Sequence, residues 1–220
     1  MEKYWTLKNL FKIHPITYLI LISVLFSGYF NYFLVISFII LTHDLGHIIF
    51  LKFYRYQIYH IMVLPFGSMI DSSINSNSPT VETLIISLAG IVFQLILFPI
   101  FKVLNLYIIN DISYNIFLNY NYLIILFNLL PIIPLDGSKV LLCLLESFMS
   151  YKKVLKLINI LSILGILLFI FYLAFNGLNS YLIIIFLLYK TYEEIKNHKY
   201  VFNQFLLNRY LSNNRYIKIK

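Results

Sequence analysis

The sequence predicts an all-α, polytopic membrane protein, and three observations carry that reading. First, 60% of its 220 residues are hydrophobic, only 12% are charged, and the mean hydropathy is +0.83. A soluble domain carries roughly 25% charged and about 45–50% apolar residues, so a soluble fold could not cover this much apolar surface. Second, the apolar stretches are continuous, whereas a membrane β-barrel alternates in short segments. Third, two long runs, Ile13 to Thr42 and Leu157 to Tyr189, carry no Asp, Glu, Lys or Arg. A small soluble enzyme and a disordered chain are excluded by the same numbers. A single cysteine excludes a disulfide scaffold. Ala is scarce, while Ile, Asn, Lys, Tyr and Phe abound, as an AT-rich genome would write, so the aromatic excess is not read as function.

A span needs about 20 mostly apolar residues. The first charge-free run breaks at Ser27-Gly28-Tyr29-Phe30-Asn31, which predicts spans near 15–28 and 32–52. A third is expected near 82–101, before Lys102, and a fourth near 115–130, stopping at Pro131. The run from Leu157 to Tyr189 would be about 50 Å long as one helix, against a hydrocarbon core of about 30 Å. Asn176-Gly177-Leu178-Asn179-Ser180 is the expected turn that divides it, giving six spans in all.

Lys and Arg set the orientation. With the N-terminus inside, sixteen of the seventeen fall in cytoplasmic segments and only Lys102 falls outside. Both termini are therefore expected in the cytoplasm of a multi-pass cell-membrane protein. The same asymmetry accounts for the net charge of +8 without any nucleic-acid partner. Residues 1–14 read as an interfacial segment, with no small-residue cleavage site of a signal peptide after them. Residues 193–220 read as a basic, aromatic helix on the cytoplasmic face, leaving 1–192 as the membrane domain.

Ionisable groups inside a span are costly and point to function. The second span carries Thr42-His43-Asp44-Leu45-Gly46-His47. His43 and His47 stand at i and i+4, so both imidazoles share one helix face. That arrangement suits two corners of a tetrahedral zinc site, and catalytic zinc commonly takes three protein ligands plus an open position. The fourth span ends Asn128-Leu129-Leu130-Pro131-Ile132-Ile133-Pro134-Leu135-Asp136-Gly137. Two prolines there stop the helix and free backbone groups. Such backbone survives at membrane depth only inside protein or beside a water-filled cavity. Asp136 is the candidate third ligand, with a helix-capping role as the alternative. Asn128 is equally a packed amide or a substrate contact. His14 and His60 read as interfacial, and Cys143 as apolar packing.

These motifs together resemble the site-2 protease family of intramembrane zinc metalloproteases. The likeness rests on the histidine motif with N-x-x-P-x-x-P-L-D-G late in the chain. Leu64-Pro65-Phe66-Gly67 resembles the family's re-entrant hairpin between the second and third spans. Ala89-Gly90-Ile91-Val92-Phe93-Gln94 resembles its A-G-P-x-x-N/Q segment. Tyr192-Glu193-Glu194 and Phe205-Leu206-Leu207-Asn208-Arg209-Tyr210 resemble the tail of the sporulation branch, which processes pro-sigma-K. The chain departs from the pattern at four places: Asp44 stands for the Glu of H-E-x-x-H, Ser68 and Ser138 each replace the second of two glycines, and Ile91 replaces a proline. The regulatory CBS domain that follows the tail in that branch has no room before Lys220, so control through it is not expected.

The resemblance implies a zinc endopeptidase that cuts within or beside a substrate's membrane segment. His43, His47 and Asp136 would hold one zinc ion, and Asp44 would carry the proton. Asn128 would touch the substrate backbone. Ile58–Leu64 with Pro65, Phe66 and Gly67 would form a strand or hairpin that holds the unwound substrate by main-chain hydrogen bonds, as edge strands do. The alternative there is a buried loop with no substrate contact. The expected partners are a membrane-associated protein substrate such as a transcription factor precursor, membrane regulatory proteins, and the bilayer itself. The competing functions are a zinc-binding membrane scaffold without catalysis, which Asp44 alone favours, and, more remotely, a metal transporter.

Overall fold

The computed structural model describes residues 11–64, 67–75, 77–176 and 181–217. In chain order the elements are β1 (Phe11–Ile13), α1 (Pro15–Ser27), α2 (Phe30–Phe53), β2 (Ile58–Leu64), β3 (Gly67–Ser72), α3 (Thr80–Tyr107), α4 (Asp111–Leu129), α5 (Asp136–Glu146), α6 (Tyr151–Asn176) and α7 (Tyr181–Ile217). The break between α1 and α2 falls at Gly28, whose φ of +76° is a conformation that favours glycine. Among the described residues, α2, α3 and the stretch Tyr151–Phe171 of α6 are long and apolar enough to cross a bilayer. The 13 residues of α1 rise only about 20 Å, short of a core of about 30 Å. The 19-residue α4 carries Asn115, Asn119, Asn121 and Asn128 on an otherwise apolar helix. The expected turn after α6 falls largely at residues 177–180, outside the described residues.

Two differences from the sequence reading concern secondary structure. The fold is mostly helical but holds a three-stranded sheet of order β1-β2-β3. β2 and β3 pair antiparallel as a hairpin, with a bulge between Ile58 and His60. Phe11–Ile13, read as part of an interfacial segment, instead pairs parallel with Ile61–Val63. Ile58–Leu64 is therefore the central strand and not an edge, and among the described residues no strand flanks β3 on its far side. The other difference is length: α3 continues through Lys102 to Tyr107 with Pro99 inside it.

The chain divides into two compact units, Met1–Ser73 with Leu88–Leu126, and Ile74–Ser87 with Phe127–Lys220. In the first, Ile39, Leu97, Phe101 and Phe117 form the core, with the rings of Phe101 and Phe117 stacked at 3.7 Å. The N–H of His14 and the hydroxyl of Thr17 both donate to Val63 O, tying the start of α1 to β2. In the second, Ile132, Leu135, Ile166 and Leu187 form the core. There α6 and α7 run antiparallel, with Asn159 Nδ2 and His198 Nδ1 3.2 Å apart and Tyr151 stacked on Phe205 at 4.2 Å. Residues well past position 193 thus pack on α6.

Candidate metal centre

In the first unit, α2 supplies the histidine pair. One helical turn separates His43 from His47, and their Nε2 atoms are 3.1 Å apart with the rings at 78°. Two nitrogens on a tetrahedral zinc, each at about 2.0–2.1 Å, stand about 3.3–3.4 Å from one another. The pair's separation therefore fits a shared cation. His43 is buried against α3 because that helix offers no side chain at the contact. A Cβ at Gly90 would sit 2.6–2.7 Å from the His43 ring, and one at Gly46 would sit 2.6 Å from Ala89 O. Small residues at both positions let the two backbones approach, a common device between membrane helices. Further along α3, Gln94 Oε1 lies 2.9 Å from His43 Nδ1. Gln94 Nε2 donates to Asn121 Oδ1 on α4 at 3.2 Å, and Asn121 Nδ2 donates back to Gln94 O at 3.1 Å. Both amides are wholly buried, at 0% exposure.

In the second unit, the broken segment between α4 and α5 positions Asp136. Its freed backbone groups find side-chain partners. The Ile133 N–H donates to Ser162 Oγ at 3.1 Å, and Ile133 O accepts from Thr191 Oγ1 at 3.2 Å. Gly165 opens space for the Ile132 side chain, which a Cβ there would meet at 2.7 Å. A Cβ at Gly137 would collide with the carbonyls of Leu129 and Leu130, so only glycine lets α5 start this close to the end of α4. Asp136 is the first residue of α5 and buried; Leu135 holds the N-cap position, and no side chain caps there. Asp136 therefore stands one residue inside the N-cap position. A carboxylate in the first turn is favoured by the helix dipole. Lys139 Nζ lies 3.5 Å from Asp136 Oδ1, with the lysine side chain largely exposed.

The first unit thus offers two imidazole donors, His43 and His47, and the second a buried carboxylate, Asp136. Two imidazoles and a carboxylate suit zinc with one position left open. Asp44 is half-buried on α2 beside His43, and Asn128 is half-buried next to the last residue of α4. Gly67 opens β3 with φ +145°, while Pro65 and Phe66 lie outside the described residues. Outside this set, burial and the neighbouring Glu146 push the Cys143 thiol up to about 11, in keeping with apolar packing.

Reading motifs from sequence missed Asn121, Ser162, Gly165 and Thr191. Asn121 had a signal, because a polar residue two turns before Asn128 in an apolar helix calls for a partner. The others had none, since a lone Ser, Thr or Gly in an apolar run is unremarkable.

The chain is similar in fold to a membrane protease of the site-2 type and in sequence to a sporulation protein. The Site-2 Protease from Methanocaldococcus jannaschii shares the fold with a TM-score of 0.64 and 22% identity, over 86% of this chain and 93% of that one. Stage IV sporulation protein FB of Bacillus subtilis (strain 168) is 28% identical over 219 residues, covering 98% of this chain and 76% of that protein. No protein-family model matches the chain. The resemblance to the site-2 proteases, and to their sporulation branch, thus holds in sequence as well as in motif.

Proposed function

We propose that this chain is an intramembrane zinc endopeptidase that cuts a membrane-associated protein, a transcription factor precursor or its regulator, within or beside the membrane segment. The observation that carries the reading is the convergence of two imidazole Nε2 atoms at 3.1 Å on a membrane-length helix. His43, His47 and Asp136 would hold the ion. When bound, zinc would lower the pKa of its water to about 7 and polarise a carbonyl. Asp44 would act as the general base, taking a proton from the attacking water and giving it to the leaving amine nitrogen. Asn128 engages the substrate backbone. The open side of β3, from Gly67 to Ser72, accepts the unwound substrate as an added strand, and Pro65, Phe66 and Gly67 contact it. Membrane regulatory proteins are the expected control, and the likeness to a sporulation protein supports a precursor as substrate. Six spans put both termini in the cytoplasm. Reporter fusions after Lys156 and Lys220 should read cytoplasmic and one after Asn179 external; an external C-terminus overturns the topology.

The deciding experiment coexpresses the chain with a candidate membrane-tethered precursor and scores the cut product with and without a zinc chelator. Cleavage that the chelator abolishes supports the proposal. A second reading, a zinc-binding scaffold that captures substrates without cutting, rests on Asp44 in the place of glutamate. Cleavage that appears only in Asp44→Glu would select it.

A further inference from the structure

The polar chain behind His43 has only one self-consistent assignment, and it starts from a backbone carbonyl. Gln94 O can only accept, so the atom of Asn121 that meets it at 3.1 Å is Nδ2. The other end of that amide is then Oδ1, which can only accept, so Gln94 presents its Nε2 there at 3.2 Å. That leaves Gln94 Oε1 facing His43 Nδ1 at 2.9 Å, and an acceptor at that nitrogen requires the proton to be on Nδ1. A neutral imidazole protonated at Nδ1 carries its lone pair on Nε2. That is the atom lying 3.1 Å from His47 Nε2.

We propose that Asn121 is a positioning residue for the metal centre: through Gln94 it fixes the tautomer of His43 and keeps the ring's lone pair on Nε2, the ligand atom. This rests on the zinc reading above. Burial makes the device rigid, because Gln94 and Asn121 are both at 0% exposure and have no water to exchange with. Without the Asn121 acceptor, the Gln94 amide is free to turn over and offer an N–H to His43 Nδ1. The ring then moves its proton to Nε2, the ligand atom. Hydrogen-bond partners of metal-bound histidines typically change metal affinity 10–100-fold when removed.

The test measures zinc affinity of the full chain in detergent by competition with a chromophoric chelator, and the visible spectrum of the cobalt-loaded protein. Asn121→Leu should bind zinc about 10–100-fold more weakly and shift the cobalt bands. Gln94→Glu supplies a carboxylate that accepts from Nδ1 whichever way it turns. The double variant Gln94→Glu/Asn121→Leu should therefore recover affinity to within a few-fold of wild type. Wild-type affinity in Asn121→Leu overturns the proposal. So does a double variant that keeps the wild-type circular-dichroism spectrum yet stays as weak as Asn121→Leu, since Asn121 would then act by packing alone. His43→Ala separates the two layers: stoichiometric zinc retained in that variant sinks the zinc reading itself, and this inference with it.

Discussion

The two regions that supply metal donors are built on opposite principles. The histidine pair sits on the regular helix α2, and its periodicity alone puts both rings on one face. The segment from Leu130 to Leu135 has no repeat, and hydroxyls from distant helices hold it in place. A regular element fixes a side chain through local geometry and needs only space beside it, which Gly46 and Gly90 provide. An irregular one at membrane depth must have each freed backbone group met by a protein partner. Substitutions of the donors and their neighbours should therefore act on the metal and its chemistry, and those of the hydroxyls that hold the broken segment on stability.

The largest expected effect is loss of the ion. His43→Ala/His47→Ala should lower bound zinc from about one per chain to none, with cleavage lost, as read by elemental analysis of purified protein; Asp136→Ala should do the same. Next comes a split between binding and chemistry. Asp44→Asn should abolish cleavage while zinc stays bound, because an amide cannot take the proton; Asp44→Glu should cut as fast as wild type or faster. Equal cleavage by wild type and Asp44→Asn would remove Asp44 from the mechanism.

A third substitution tests the space beside the helix. Gly90→Ala places a methyl within 2.7 Å of the His43 ring, so the ring must move. A displacement of about 1 Å can cost roughly 100-fold in rate, measurable as initial cleavage rate at fixed zinc. On the other side of the comparison, Ser162→Ala strands the Ile133 N–H and should destabilise the protein by about 1–3 kcal/mol in SDS titration, with bound zinc still near one per chain. Thr191→Val removes a donor from a carbonyl and should cost about 1 kcal/mol by the same measurement. If Ser162→Ala lost the ion with no change in stability, the contrast between the two regions would fail. The smallest effect concerns Cys143. Its thiol is pushed up to about 11, so at pH 7 almost none is thiolate, and iodoacetamide should label it only after unfolding.

The contrast also decides what could be read from the sequence. The helices bearing the site were legible because charge-free runs and an i, i+4 pair are local patterns. The strand Ile58–Leu64 was legible as a candidate, but its pairing with Phe11–Ile13, 50 positions away, was not, since nothing within three residues of that segment announces a strand. The ligand candidates were legible because an ionisable group in an apolar run stands out. Asp136 was visible by charge, but the serine, threonine and glycine that hold its segment were not, because their roles exist only once α6 and α7 have packed. Asn121 lies between these cases: visible as a polar oddity, yet assignable only when Gln94 is seen beside it.

The hydroxyls that complete the broken segment also set an order of events during synthesis. Ser162 and Thr191 follow Ile133 by 29 and 58 residues. A nascent chain that has just made Asp136 has neither, and lipid offers no substitute donor or acceptor. The segment reaches its final shape only after α6 and the start of α7 have entered the membrane. A chain of this build leaves the segment that carries Asp136 unfinished until most of its residues are made, so that segment's final shape is timed by translation itself.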